Sequence, residues 1–378
     1  MANQEVFFVM RSDEAVKEGG DSIQVATYCR RLEKLGYVCH IVPFAVTMSF
    51  PRSAIVHLVN IDRIFDFLYA AHRARQCILV ASPIHHDSAL VRQMRESVPS
   101  RGLRRIVDRR FPETVREYLA FMVRSILRPP MPTRSRLGAM LGSARLLWRP
   151  WRSAGSVLAR CDRVFVLADG ERRALMRDTG WSGTNAALTP NAVELPAQVE
   201  LMDWEDREPV ILIVGRVEPR KRILEVAQQA HRAGIPIRVV GGVGSDPVYA
   251  DEFRRLASSS NFVHWDGPRP HAEVLNIFGS HRVVLNLSWA EVQSLVDLEA
   301  SLCGCAVVAT PAGHSAEWLP ESVEVLDSFD VTEGLLTAKA RTTGPRPRAN
   351  YAATWESTVA VIDMAYQDAV ARKGRSEA

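Results

Sequence analysis

Two carboxylates eight residues apart, Glu291 and Glu299, stand in the stretch LNLSWAEVQSLVDLE. The apolar run Arg282–Leu287 ahead of them predicts a buried strand, and a helix is expected to begin near Gln293–Ser294. The first amides of a helix have no intrahelical partner and attract anions. Glu291 then falls in the loop before that helix, and Glu299 about two turns inside it. One carboxylate can reach the far end of a ligand whose phosphates rest on the amides, while the other reaches the near end. Hydroxyls, then a diphosphate, then a ribose make a molecule of that shape, a nucleoside diphosphate sugar.

A second string supplies the opposite charge. VILIVGRVEPRKR is a buried strand ending in Gly215-Arg216, with Lys221 five residues beyond Arg216. Glycine lets the backbone turn where it must approach a ligand. Arg216 can clamp phosphate oxygens as a planar fork, and Lys221 adds a mobile point charge. Two further loops carry candidates. Gly19-Gly20 precedes a helix and offers flexible backbone and free amides, and SPIHHD places His85, His86 and Asp87 after an apolar strand. Histidine is the usual proton carrier near neutral pH.

Such residues need strands to hold them. Short apolar runs alternate with helix-length patterns, which marks a parallel, helix-covered sheet. The first series reads strand Val6–Met10, helix Ser22–Leu35, strand Tyr37–Val42, strand Ala54–Val59, helix Phe65–Arg75 and strand Cys77–Ala81. Strand Arg163–Leu167 and helix Gly170–Thr179 complete it. After a polar linker, Val199–Glu208, a second series runs through strands Val210–Val214, Ile237–Val240, Phe262–Trp265, Arg282–Leu287, Ala306–Ala309 and Val323–Leu326. Helices Ile223–Ala233, Val248–Ser258, Ala272–Phe278 and Ser294–Cys303 alternate with them, and a last helix spans Tyr351–Ala371. An α/β protein with two Rossmann-like domains and parallel sheets facing across a cleft is the expectation, because ligands of such sheets lie at the carboxyl ends of the strands. The boundaries read as 1–198 for the first domain and 209–340 for the second, with a C-terminal helix within 350–374.

The Glu291/Glu299 pair together with Gly215-Arg216 and Lys221 resembles the signature of retaining glycosyltransferases of the GT-B fold, family 4. The resemblance implies a metal-independent hexosyltransferase moving sugar from a nucleoside diphosphate to a saccharide hydroxyl, with no cofactor. It makes 1–198 the acceptor-side domain and 209–340 the nucleotide-sugar domain, and has the C-terminal helix cross back to the first. It makes Glu291 the holder of the sugar hydroxyls and Glu299 that of the ribose. Arg216, Lys221 and the amides at Ser294 and Leu295 would meet the diphosphate. His86, paired with Asp87, resembles the cleft histidine that bonds the transferred sugar. Gly19 and Gly20 resemble the loop touching the donor phosphates, and Gly267 in HWDGP resembles the segment edging the nucleobase. Gly313 and Glu317 sit where the family has its Thr-x-x-Gly…Glu loop, and Asn191 where it has Pro-Asn-Gly-Val, with Ala192 replacing the glycine. Gln293 and Ser294 stand where an aromatic and a glycine are usual, so the donor sugar and base stay open. A sugar-nucleotide 2-epimerase shares the fold and is the rival enzyme. A non-catalytic binding protein at a membrane surface is the rival from another class.

The bulk numbers fit two domains. The chain has 378 residues, 47% hydrophobic and 24% charged, as in soluble globular proteins. Six cysteines at 29, 39, 77, 161, 303 and 305 lack CxxC spacing, which argues against zinc and for a reducing, cytoplasmic setting. The N-terminus turns polar too early for a signal peptide. Net charge is +4, yet residues 101–152 hold 13 Arg and no Lys against three acids. Within this basic insertion Val115, Tyr118, Leu119, Met122 and Ile126 recur at helical spacing, and Leu137, Met140, Leu141, Leu147, Trp148 and Trp151 follow among arginines. Such a pattern suits the surface of an anionic membrane, so the protein is expected at the inner face of the cell membrane with a lipid-linked acceptor. A helical insertion whose apolar face is simply core fits as well. No nucleic-acid module is recognisable.

Overall fold

The computed structural model of the protein describes residues 3–12, 19–45, 48–98, 110–127, 149–244 and 246–377. These divide into two units. The first holds the described residues of Met1–Ser88, Pro99–Asn191 and Ala353–Ala378, and the second those of Ala89–Val98 and Ala192–Ala352.

In the first unit β1 (Gln4–Met10), β2 (Tyr37–Pro43), β3 (Ile55–Val59), β4 (Ile78–Ser82), β5 (Arg163–Val166) and β6 (Ala186–Leu188) form one parallel sheet of order β2-β1-β3-β4-β5-β6. Every residue of β3 and β4 is buried, so both faces must be covered. The helices of this unit are α1 (Gly20–Lys34), α2 (Ile64–Arg73), α4 (Glu113–Leu127), α5 (Pro150–Arg160) and α6 (Asp169–Thr179). α3 (Ser88–Ser97) falls almost wholly in the segment that groups with the second unit.

The last helix, α12 (Trp355–Glu377), belongs to the first unit. Thr354 starts it with a reciprocal cap: its hydroxyl accepts from the Ser357 N–H at 3.1 Å, while Ser357 Oγ accepts from the Thr354 N–H at 3.0 Å. This cap moves the start from the expected Tyr351 to Trp355. The helix docks through polar groups as well as apolar ones. Tyr37 Oη donates to Asp363 at 2.6 Å, and Tyr366 Oη lies 2.6 Å from Nδ1 of His57. The other ring nitrogen of His57 lies 2.7 Å from Ser82 Oγ, and full burial pushes this imidazole down to about 3, keeping it neutral.

The second unit carries β7 (Glu208–Val214), β8 (Ile237–Val240), β9 (Val263–Gly267), β10 (His281–Asn286), β11 (Ala306–Ala309) and β12 (Val323–Val325). Their order is β12-β11-β10-β7-β8-β9, again all parallel. Its helices are α7 (Ile223–Ala233), α8 (Pro247–Ser259), α9 (His271–Ser280), α10 (Leu295–Leu302) and α11 (Val331–Arg341). Along β7 the side chains alternate between two cores: Ile211 and Ile213 enter one and Leu212 the other. Full burial of each such side chain stabilises the fold by about 1.5–3 kcal/mol.

Four elements escaped the sequence reading: α3, α5, β6 and α11. In α11 the reason is physical. Gly334 reads as a helix breaker, yet a Cβ there would lie 2.7 Å from Leu287 Cδ2, so glycine is what lets this helix sit against Leu287. The basic insertion also needs correction. On α4 the core residue is Phe121, 1% exposed and 6.0 Å from Phe65, with Tyr118 and Met122 packed beside it. Leu119, expected on that face, is 44% exposed. Trp151 packs on the same core. Leu137, Met140, Leu141, Leu147, Trp148, Arg134, Arg136 and Arg145 lie outside the described residues. Among the described residues no helix is long and apolar enough to cross a membrane.

Replacing Tyr366 with Phe removes one partner of buried His57 without opening a cavity. An unsatisfied buried polar group costs about 1–3 kcal/mol. Chemical denaturation should show a loss of that size, and an unchanged unfolding midpoint would remove this anchor from the account.

Candidate functional site

The second sheet has the order 3-2-1-4-5-6 when its strands are counted from β7, which puts its topological switch point between β7 and β10. Ligands of open α/β sheets bind where loops diverge at that point. The loops after β7 and β10 carry Gly215–Arg222 and Ser288–Ser294, and the backbone joins them: the Trp289 N–H donates to the Arg220 carbonyl at 2.8 Å. The loop after β11 closes on the same place. Thr310 Oγ1 donates to the Ser288 carbonyl at 2.7 Å, and the His314 N–H to the Val292 carbonyl at 3.2 Å. A small pocket there is lined by Asn286, Glu291, Asp297, Thr310, Gly313 and Ser315.

Glu291 is the hub of these loops. Lys221 Nζ donates to its Oε1, and Arg220 Nη1 donates to the same oxygen at 3.2 Å. Arg220 is also held by the Ala290 carbonyl at 2.8 Å and by Glu218 at 3.2 Å. Its guanidinium is held charged by Glu291 and Glu218 although burial opposes this. The Lys221 stem runs along Gly215, with its Cδ 3.7 Å from where a Cβ would stand. Arg216 is 45% exposed, and Glu218 Oε1 lies 3.7 Å from its guanidinium. Sequence reasoning brought Gly215, Lys221 and Glu291 together and missed Arg220, whose only signal was its place in the basic string.

Close backbone packing explains the glycines at the strand ends. A Cβ on Gly241, at φ +147°, would stand 2.0 Å from the Gly215 carbonyl oxygen. The Gly215 N–H donates to the Val240 carbonyl, and the Gly241 N–H to that of Gly267, each at 2.9 Å. Gly267 is the last residue of β9, at φ +72° with open space where a side chain would be.

Ser294 is the N-cap of α10, accepting from the Asp297 N–H at 3.3 Å, so the helix opens at Leu295, one residue after the expected start. Buried Asp297 went unremarked in the sequence. It accepts from Asn286 Nδ2 at 2.7 Å and from Ser315 Oγ at 2.9 Å, and burial pushes its carboxyl up to about 6 despite those bonds. Gln293 is buried too, its amide donating to Tyr351 Oη at 3.3 Å. Glu299 sits further along α10 with its Oε1 2.8 Å from His271 Nε2, a partner that only the fold reveals. The hydrogen bond to Glu299 raises the His271 pKa. His314 lies 3.6 Å from Glu317, a loose surface contact.

In the first unit the switch point falls between β1 and β3. Arg11 Nε, at the end of β1, donates to Asp21 Oδ2 at 2.7 Å, and Asn60 Nδ2, after β3, to the same oxygen at 3.3 Å. Gly19 caps α1 and Gly20 is its first residue, so the Asp21 carboxylate already stands at the amides expected to face phosphate. The histidine pair differs from expectation. Asp87 pairs with Arg177 at 2.8 Å, and His86 Nδ1 lies 2.5 Å from Asp62 Oδ2 instead. The register of β4 puts both histidines just beyond its carboxyl end, where a carboxylate from the loop after β3 outcompetes the sequence neighbour. His85, to which the resemblance gives no role, is 2% exposed between Asp62 at 3.2 Å and Asp178 at 2.8 Å. These carboxylates overcome burial and push its imidazole up to about 9, while the His86 and His85 rings hold Asp62 well below the usual carboxylate range.

A raised histidine pKa stabilises the fold fully below the unfolded value of about 6.5, and that stability is lost as pH rises toward 9. At about 1.4 kcal/mol per pKa unit the His85 contribution is about 3 kcal/mol. Denaturation midpoints of the wild type should fall between pH 6.5 and 9 relative to those of His85→Gln. Parallel pH curves would mean that His85 is not a buried imidazolium.

Residues 208–340 match the family of glycosyl transferases group 1. A phosphatidylinositol N-acetylglucosaminyltransferase component from Arabidopsis thaliana is 29% identical over 181 residues, 46% of this chain and 40% of that protein. The chain thus spans less than half the length of that relative. Sucrose-phosphate synthase from Thermosynechococcus elongatus superposes with a TM-score of 0.63 at 15% identity, over 98% of this chain and 100% of the other. Anabaena Alr3699/HepE, solved in complex with UDP and glucose, gives 0.60 at 12% identity over 97% of this chain and 100% of the other. The two six-stranded parallel units are those of the GT-B glycosyltransferase fold.

Proposed function

We propose that the protein is a retaining, metal-independent glycosyltransferase of family 4, moving a hexose-type sugar from a nucleoside diphosphate to a saccharide hydroxyl. The observation that carries this reading is the Lys221–Glu291 contact at the switch point of the second sheet, inside the segment that matches glycosyl transferases group 1. A site that takes a diphosphate needs cations and free amides together. Here Lys221, Arg216 and the start of α10 supply them. Charge on the departing diphosphate is then met by groups of the protein itself, an electrostatic role.

The two glutamates divide the work. Glu299, just over one turn along α10, suits the ribose diol, which bonds it equally in ground and transition states. Glu291 suits the hydroxyls of the reacting sugar, where a bond can strengthen as charge develops. In the first unit His86 is assigned to a hydroxyl of the transferred sugar. No cofactor takes part.

The acceptor is proposed to be a lipid-linked saccharide met at the inner face of the membrane. Support comes from the 13 arginines of residues 101–152 and from a relative named for phosphatidylinositol. Polybasic attraction is worth about 1 kcal/mol per residue close to an anionic bilayer.

Glu299→Ala should weaken nucleotide binding, and Glu291→Ala should lower kcat more than it weakens binding. Wild-type kinetics in both on the true donor would dismiss the assignment. Lys221→Ala and Arg216→Ala should each lower turnover on the order of 10²-fold. EDTA should cost little, and NMR of the first-formed product should show the anomeric configuration of the donor. Strong inhibition by EDTA reversed by Mn²⁺, or an inverted product, would replace the mechanism. Cosedimentation with anionic vesicles at low salt, lost in the quadruple Gln variant of Arg134, Arg136, Arg145 and Arg149, is expected for the membrane assignment. Equal recovery in the supernatant with and without vesicles would leave a soluble acceptor.

A further inference from the structure

Asp62 makes contacts that no packing role requires. Its Oδ2 lies 2.5 Å from His86 Nδ1, and its Oδ1 accepts the His86 N–H at 3.3 Å and lies 3.2 Å from His85 Nδ1. One carboxylate thus grips the ring and the backbone of His86 together. An ionised carboxylate is an acceptor only, so the nitrogen facing it must carry the hydrogen. In neutral His86 the hydrogen is then on Nδ1, and the lone pair is on Nε2.

What keeps Asp62 ionised is also in place. His85 is clamped between Asp62 and Asp178, with Glu171 accepting its backbone N–H at 2.8 Å and the Leu167 N–H at 2.6 Å. Both ring nitrogens of His85 face carboxylates, which only accept, so both carry hydrogen and the buried ring is a cation. Other charges around the group are Asp87 with Arg177 on the far side and Asp178 on α6. His86 itself is 24% exposed, so its ring is reachable from solvent.

We propose that Asp62 is a positioning residue that fixes His86 as its Nδ1–H tautomer, so that Nε2 accepts a hydrogen bond from a sugar hydroxyl, with the buried His85 cation holding the Asp62 carboxylate ready. The orientation of a histidine by a carboxylate on its other nitrogen is a general device for setting which nitrogen acts. The catalytic half of this inference rests on the assignment of His86 to the substrate; the tautomer does not.

Nitrogen-15 NMR of the ring, assigned by comparison with His86→Gln, reads the tautomer directly. The wild type should show the Nδ1–H form above the pH at which the ring becomes neutral, and Asp62→Asn should show the Nε2–H form. A wild-type ring in the Nε2–H form overturns the proposal, and that spectrum needs no variant of Asp62 to fold. In kinetics, Asp62→Asn should lower kcat on the order of 10²-fold with little change in KM, as loss of a general hydrogen-bonding partner in the transition state does. It should cost less than about two-fold once His86 is Gln, because residues acting as one unit are not additive. A full additional loss in that background would mean that Asp62 acts through something other than His86. Wild-type turnover in His86→Gln alone, with the Nδ1–H tautomer observed, would overturn the substrate assignment of His86 and leave only the tautomer.

Discussion

Glu291 balances two cations at once, accepting from Lys221 Nζ and from Arg220 Nη1. That shared carboxylate ties the loop after β7 to the loop after β10, next to the backbone bond from Trp289 to Arg220. Gly313, on the third loop, adds to the packing: a Cβ there would lie 3.4 Å from Glu291 Cβ. Remove the carboxylate and three loops lose their common point. Under the proposed function a donor diphosphate would draw Lys221 from Glu291, leaving the carboxylate to the sugar hydroxyls and to Arg220.

Around this point the fold contributes rigidity by two means. Glycines at 215, 241 and 267 bring adjacent strand ends together with no side chain between them, which suits a surface meant to lie against a flat or extended ligand. Polar groups in the wall are satisfied among themselves: Asn286 with Asp297 and Ser288, Asp297 with Ser315, and Gln293 with Tyr351. Gln293 and Ser294 stand where the resemblance to family 4 leads one to expect an aromatic and a glycine. The structure gives each another task, Ser294 as helix cap and Gln293 in a buried hydrogen bond.

Much of this was readable from residue order, and the limits follow from what a sequence can encode locally. Strand ends, the glycine turns, Lys221, Glu291 and Glu299 lie in continuous patterns with a fixed spacing, so they stand out. The pairing of His86 did not, because Asp87 was nearer in sequence while Asp62, 24 residues away, was nearer in space. His85 looked inert for the same reason: one of its carboxylates is 93 residues off. His271 on α9 and Asp297 inside an apolar helix face carried no periodic signal at all. Helix α11 was hidden by Gly334, whose purpose is contact with Leu287 and not flexibility.

The central claim, which rests on the proposed function, is that a diphosphate draws Lys221 away from Glu291. Isothermal titration of UDP, GDP, ADP and dTDP into the wild type and into Glu291→Gln tests it most directly. The nucleotide that binds the wild type should bind Glu291→Gln at least as tightly, because the variant no longer competes for Lys221. Weaker binding by Glu291→Gln, or no nucleotide binding by the wild type, would contradict the account.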